Sequence, residues 1–320
     1  MSKDRIVVTG GAGFIGSHLV TRLLAEGKTV TVIDDVSTGS WNNLRHLQND
    51  PKLKTIEAKV SDCTDLGKLM NETSQVFHLA AAVGVDLVVR SPIRTMETNI
   101  RETEAILEAA SSERVPVLVT STSEVYGKSN KPEFNEADDL TIGPPHLGRW
   151  AYACSKLMDE FLALAYTKEK NSPTIVTRLF NTVGPRQSGQ YGMVVPRFIS
   201  SAKSNRPIEV YGTGEQTRCF CFVEDTVEAL LRLTRTPAAI GEVINIGSTE
   251  EISIIDLARC IIQKLDSRSE IIKRQYDEVY PSGFEDMLRR KPSVEKLARL
   301  TGFRPQTPLS KIIETTSAAI

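Results

Sequence analysis

A chain of 320 residues is long enough for one large α/β unit with a smaller lobe, and 40% hydrophobic with 25% charged residues excludes a disordered or fibrous chain. Acids and bases nearly cancel to a formal net charge of −1, so there is no broad basic field for nucleic acid or an anionic membrane, and an anionic ligand has to be held locally. The cysteines Cys63, Cys154, Cys219, Cys221 and Cys260 fit no disulfide framework, no signal-like segment precedes the first apolar run, and no run reaches the ~18 residues of a membrane span; a cytoplasmic protein is expected. Cys219-Phe220-Cys221 lacks the two-residue gap usual for a metal pair and the histidines are scattered, so no metal is expected.

In chain order, Arg5 to Thr9 predicts a short strand, the glycine run Gly10 to Gly16 a turn, and the residues up to Glu26 a helix ended by Gly27. A second strand, Thr29 to Ile33, ends in Asp34-Asp35 and completes a β-α-β unit. Further strands are predicted near 53–58, 76–79, 115–119 and 174–179, with helices near 92–111 and 152–168 between them. This alternation implies a doubly wound parallel sheet of the Rossmann type. Glycine and proline interrupt the chain from Asn181 onward, where a smaller substrate lobe is expected, while the apolar segment 242–246 is expected to return to the main sheet. The predicted division is 1–180, rejoined by 219–247, for the cofactor domain, and 181–218 with 248–320 for an interleaved substrate lobe. The long polar connections 37–47 and 128–148 are expected to border the site.

Gly11-x-Gly13-x-x-Gly16 follows a strand, opens a helix and has an acid, Asp34, at the end of the next strand. All contextual conditions of a dinucleotide fingerprint are thus met. Gly10, Gly13, Phe14, Ile15 and Gly16 would bring backbone N–H groups to a pyrophosphate at the helix N-terminus, and Asp34 would accept the ribose hydroxyls, which favours NAD over NADP. The bland alternative is a glycine turn that only packs helix on sheet. Small residues after the fourth strand, Ala80 among them, would allow close approach of the cofactor.

The strand from Val115 ends in Ser121-Thr122-Ser123-Glu124, placing hydroxyls and a carboxylate where strands of an open sheet face the ligand crevice. Tyr152 and Lys156 are four apart and share a helix face, so the ammonium is expected to bring the phenol down toward the range of a base. Thr122 would orient a substrate hydroxyl, Tyr152 would remove its proton and the neighbouring carbon would give hydride to nicotinamide.

These motifs, from Thr9-Gly10-x-x-Gly13-x-x-Gly16 through the hydroxyl strand end to Tyr152-x-x-x-Lys156, resemble the extended short-chain dehydrogenase/reductases that act as nucleotide-sugar epimerases, dehydratases and decarboxylases. The likeness covers essentially the whole chain. The segments Arg178 to Arg186 and Val210 to Arg218 are similar to those with which the family holds a sugar nucleotide. The resemblance implies Asn181 at the diphosphate, Tyr211 near the base, and Arg186 and Arg218 at phosphate or ribose; surface ion pairs are the alternative for the arginines. One departure concerns adenine: the Asp that many members place after the third strand is Lys59 here, leaving backbone groups near Val60 as its possible partners.

Ser121 to Gly127, Gly148-Arg149-Trp150 before Tyr152, and Arg289-Arg290-Lys291-Pro292-Ser293 resemble UDP-glucuronate decarboxylases, in which Glu124 assists oxidation and loss of CO₂ and Arg290 is the active-site arginine. Four-epimerases commonly carry a small or hydroxyl residue at the position of Glu124, whereas 4,6-dehydratases also use a carboxylate. The order of expectation is a UDP-sugar decarboxylase, then a 4-epimerase, then a dehydratase; Arg290 as one of a solvated cationic cluster is the bland alternative. The resemblance also implies a homodimer formed through the helices near 92–111 and 152–168.

Overall fold

The computed structural model describes residues 4–84, 91–189, 193–279 and 286–320. Six β-strands, β1 (Arg5–Thr9), β2 (Thr29–Asp34), β3 (Leu53–Glu57), β4 (Thr73–His78), β5 (Val117–Thr122) and β6 (Thr174–Leu179), come first. The chain then builds β7 (Thr182–Val183), β8 (Ile208–Tyr211), β9 (Thr217–Cys219) and β10 (Cys221–Phe222) before returning through β11 (Val243–Ile246), and continues with β12 (Glu251–Ser253), β13 (Ile271–Arg274) and β14 (Arg289–Arg290).

The main sheet has the order β11-β6-β5-β4-β1-β2-β3, and every pairing in it is parallel. Such strands are buried on both faces, which is why they read as continuous apolar runs. On β1, Ile6 and Val8 join one core cluster and Val7 another, so successive side chains feed the two helical layers of a doubly wound fold. The order reverses between β1 and β4, and a crevice opens at their carboxyl ends.

As expected, 243–246 rejoins the main sheet beside β6. A separate core around Phe198, Ile208, Val210, Leu257 and Ile312 lies beneath the small sheets β13-β8 and β12-β9-β14. The late helix Glu295–Thr301 places Leu297 in the main-sheet core rather than in that smaller one.

Two differences from the sequence expectation concern β5. The strand starts at Val117 and runs on to Thr122, because β6 keeps pairing with it through Leu179. The hydroxyls of Thr120, Ser121 and Thr122 are therefore inside the ladder, and the polar turn begins only at Ser123. Ser121 Oγ donates to buried Glu160 at 2.5 Å, and Glu160 is held by Arg178 of β6 at 2.8 and 3.0 Å. This buried, multiply bonded pair fixes the end of β5 against the helix Trp150–Lys170.

Candidate functional site

A large cavity, with a volume of about 680 Å³, runs from the glycine turn across the ends of β1, β4 and β5 to the smaller lobe. At its first end Gly10 has φ +69°, and a Cβ on Gly16 would lie 2.2 Å from the Gly10 carbonyl oxygen, so the turn admits no side chain there. Asp34 sits at the far side of this cradle, its two oxygens accepting the N–H groups of Ala12 and Val36 at 2.8 Å each. With the Gly13 N–H also directed at it, the carboxylate still retains a lone pair for a ribose diol. A glycine cradle with a carboxylate beyond it fits a dinucleotide. Replacing Gly16 by Ala is expected to weaken NAD binding by on the order of ten- to a hundred-fold, the loss of one or two backbone hydrogen bonds, read by titration of folded variant protein.

Gly10, Gly13, Phe14, Ile15, Gly16, Asp34 and Ala80 all line this end. Arg186 was expected with the substrate, but its guanidinium lies 3.3 Å from both Ser17 Oγ and Thr21 Oγ1, on the helix that leaves the glycine turn, and so stands on the cofactor side. At the adenine end Lys59 is exposed and does not line the cavity. Of the backbone groups near Val60 considered for adenine, the Val60 N–H donates to Glu102 at 2.5 Å.

Tyr152 and Lys156 lie on the inward face of the helix Trp150–Lys170, 8% and 2% exposed, and both line the cavity. Tyr152 is hydrogen-bonded to the Thr122 side chain. The phenol is not brought down, contrary to the sequence expectation. Burial pushes it well above its ordinary value, and the charges of Glu124 and Asp159 add to this against the smaller opposing effects of Thr122 and Arg290. The reason lies in Lys156, whose Nζ donates to Asp159 at 2.7 Å, one helical turn on; both are buried, so the ammonium is neutralised locally.

Behind this pair, His78 bridges Thr9 Oγ1 at 2.8 Å and Thr103 Oγ1 at 3.1 Å. Burial, aided by the charge of Lys156, lowers it to about 3. Its folded pKa is below its unfolded one of about 6.5, so the unfolded chain binds the extra proton and stability falls as pH drops from 6.5 toward 3. Urea unfolding is expected to lose up to about 1.4 kcal/mol per pH unit in that window from this group, and His78→Gln is expected to flatten the slope.

Opposite Tyr152 stands a cationic wall. Arg289, Arg290 and Lys291 alternate as strand residues do: Arg289 points outward to Glu251 at 2.6 Å, Lys291 reaches Glu133 at 3.8 Å, and Arg290 turns inward. Pairing of Arg290 with Arg218 in β9 fixes this register, as do hydrogen bonds between Phe134 and the main chain of Lys291 and Ser293. The connection 128–148, expected to border the site, contributes no residue to the cavity lining; its Phe134 is buried in the core behind the Arg290 strand and supports it from there. Arg290 is therefore no member of a solvated cluster. It donates to Ser123 Oγ at 2.7 Å and lies 3.6 Å from Glu124.

Thr122 Oγ1 accepts the Glu124 N–H at 3.2 Å, which sets the direction in which Glu124 leaves the strand. Asp286 gathers Arg218 at 2.9 Å and Arg149 at 3.5 Å. Burial works to raise its carboxyl, but Arg218, Arg149 and Arg290 outweigh that and hold it below the usual range. Among the described residues Arg149, Arg218 and Arg290 face Glu124 and Asp286, and burial, resisted by Glu124 and reinforced by Arg218 and Arg149, lowers Arg290 to about 10.

Asn181, Tyr211 and Arg218 all line this half. Asn181 holds φ +34° and donates to the Cys219 carbonyl at 3.0 Å, joining β9 to the end of β6. Among the lining residues that received no site role from sequence are Arg149, quoted only as part of a matching run, Arg197 and Asp286. Arg197 stacks over the Tyr211 ring at 4.1 Å, a flat face suited to a nucleobase. Only the periodicity of the helix Val194–Lys203 hinted at it, since the residue precedes Phe198 on a helix that otherwise buries apolar side chains.

Among the described residues no group of three or more histidine, cysteine or acidic residues is placed to hold a metal, and no helix is long and apolar enough to cross a membrane. A family model described as GDP-mannose 4,6 dehydratase matches residues 7–316. The chain is 41% identical over 304 residues to UDP-N-acetyl-alpha-D-glucosaminuronate decarboxylase of Bacillus cytotoxicus, covering 95% of this chain and 93% of that protein. It is 35% identical over 308 residues to UDP-glucuronic acid decarboxylase 4 of Arabidopsis thaliana, covering 95% of this chain but 66% of that longer one. The crystal structure of UDP-glucuronic acid 4-epimerase from Bacillus cereus, in complex with UDP-glucuronic acid and NAD, superposes with a TM-score of 0.88 at 29% identity, covering 98% of each chain. With the cradle and Asp34 fitting the dinucleotide, the cofactor is NAD, and the chain belongs to the GDP-mannose 4,6-dehydratase family of extended short-chain dehydrogenase/reductases, enzymes that modify nucleotide sugars.

Proposed function

We propose that the protein oxidises C4 of a UDP-linked hexuronate and then removes its carboxylate as CO₂. The observation that carries this reading is the position of Arg290, hydrogen-bonded to Ser123 and beside Glu124, across the cavity from Tyr152. Simple epimerisation needs a base and a hydride acceptor; it does not need a buried guanidinium–carboxylate pair at the sugar. A uronate needs a cation for its carboxylate.

In this scheme Tyr152 takes the proton of the C4 hydroxyl while Thr122 holds the same oxygen. NAD supplies the acceptor for the C4 hydride and, as a cationic ring, a charge that favours the phenolate. The resulting ketone is β to the carboxylate, so the electrons of the breaking C5–C6 bond flow into the carbonyl and CO₂ departs. The hydroxyls of Tyr152, Thr122 and Ser123 stabilise the enolate oxygen, and Arg290 with Glu124 positions the carboxylate and delivers a proton to C5. Arg197 over Tyr211 supports a stacked uracil, with Asn181 and Arg218 along the diphosphate.

Mass spectrometry of products tests the reading. Incubation with NAD and either UDP-glucuronate or UDP-N-acetylglucosaminuronate is expected to give a nucleotide sugar lighter by one CO₂ if the hydride taken from C4 is returned to the ketone, and lighter by a further two hydrogens, with reduced cofactor accumulating, if it is not. The B. cereus neighbour favours a second reading, 4-epimerisation of UDP-glucuronate, which would leave the mass unchanged. Loss of water would indicate a dehydratase, and no conversion of any UDP-sugar would sink the enzymatic reading.

A cytoplasmic homodimer is part of the proposal. Ile93, Met158 and Phe161, 69%, 48% and 64% exposed, lie on the two mutually packed helices Pro92–Ser112 and Trp150–Lys170, and a second copy is the partner whose matching helices would cover them. The near-neutral charge supports neither nucleic acid nor membrane as a partner.

A further inference from the structure

Glu102 is a buried acid that the sugar chemistry does not use. It lies in the middle of the helix Pro92–Ser112, is 4% exposed, and lines the cavity with Ala58, Val60 and Thr98 at the end remote from Tyr152. Its Oε2 accepts the Val60 N–H at 2.5 Å and the Ser61 N–H at 3.3 Å, and its Oε1 accepts from Ser61 Oγ at 2.6 Å. A carboxylate offers about four acceptor sites, so one remains.

The place of that last site follows from the cofactor cradle. The pyrophosphate belongs at the glycine turn and the adenosine ribose at Asp34. Asp34 pairs with Glu57 across β2 and β3, and the Ala58 N–H donates to the Asp34 carbonyl at 3.1 Å. The cavity wall therefore passes from Asp34 to Ala58 and Val60, and Glu102 closes it. A purine ring carried by that ribose reaches this wall, and the one feature of adenine that a carboxylate recognises is its exocyclic amino group. Lys59, exposed and outside the wall, offers no acceptor, and the Val60 N–H is already taken.

We propose that Glu102 accepts the 6-amino group of the NAD adenine, a specificity contact supplied here by a helix rather than by the residues following β3. The inference rests on NAD occupying the glycine-turn cavity. Its test reads cofactor affinity alone, so failure of the decarboxylase reading would leave it standing.

The experiment compares dissociation constants, by calorimetry on protein freed of carried-over nucleotide, for NAD and for an analogue in which the adenine 6-amino group is replaced by hydrogen. The wild-type protein is expected to bind the analogue about ten-fold or more weaker, since a hydrogen bond to a charged acceptor is lost. In Glu102→Gln, whose amide presents a donor to the same place, NAD is expected to weaken by a similar factor and the analogue to change little, bringing the ratio near one. Lys59→Ala is expected to keep the wild-type ratio. Equal wild-type affinity for the two cofactors would overturn the proposal, as would equal weakening of both in Glu102→Gln, which would reduce Glu102 to a brace for the Val60 turn. A collapse of the ratio in Lys59→Ala would move recognition to Lys59. If Glu102→Gln fails to fold, Glu102→Asp, which draws the carboxylate back by one methylene, takes its place, and a ratio that stays at the wild-type value there would overturn the proposal.

Discussion

Tyr152→Phe is expected to lower kcat for hydride transfer by about 10²–10⁴-fold while leaving NAD affinity within a few-fold of wild type. The phenol oxygen is the group that the Thr122 hydroxyl meets at the end of β5, whereas Ser121 is engaged by Glu160 and Lys156 by Asp159. Because burial and two carboxylates raise the phenol, the free protein holds it protonated through neutral pH. Turnover is therefore expected to rise with pH wherever deprotonation of this group limits the rate, and the slope is expected to vanish in the Phe variant. Stopped-flow absorbance of the reduced nicotinamide reads both effects. A Phe variant that still reduces NAD at wild-type rate would remove Tyr152 from the chemistry.

The second large effect belongs to Glu124. Glu124→Gln keeps the size of the side chain and its backbone contact with Thr122 but removes the negative charge that Arg290 meets at 3.6 Å. Decarboxylation is expected to fall by about 10²-fold or more, the scale of a lost general acid–base group, with NAD binding unchanged. Removing the carboxylate also removes one of the charges that raise Tyr152, so the first oxidation is expected to be spared or slightly favoured at neutral pH. The variant would then accumulate reduced cofactor without releasing CO₂. Full turnover by Glu124→Gln would mean that the carboxylate only braces Arg290.

Much of this site was legible in the residues themselves, and the parts that were not share a cause. The glycine turn, Asp34, and Tyr152 with Lys156 are local patterns whose spacing is set by a single turn or helix, and each is found lining the cavity. The partner of Lys156 was equally local, three residues on at Asp159, yet the sequence does not say whether an ammonium bonds to its own helix or to a phenol four residues away. Arg290 is a different case. Two strand residues are too few to show a period, so Arg289-Arg290-Lys291 reads as one charged cluster until pairing with β9 and Phe134 sends alternate side chains inward and outward. Arg149, Arg197 and Asp286 come from three distant segments and line one cavity only through the tertiary fold. Arg186 was assigned to the substrate from its neighbours in sequence, whereas its reach to Ser17 and Thr21 depends on the packing of the 182–186 turn against the first helix.

The central claim, that oxidation at C4 here leads to loss of C6, is tested most directly with UDP-glucuronate, or its 2-acetamido counterpart, carrying carbon-13 only at C6. The account predicts that labelled CO₂ appears at the same rate as the new nucleotide sugar and that the product retains no label. A product that keeps its label, whether epimerised or dehydrated, would contradict it.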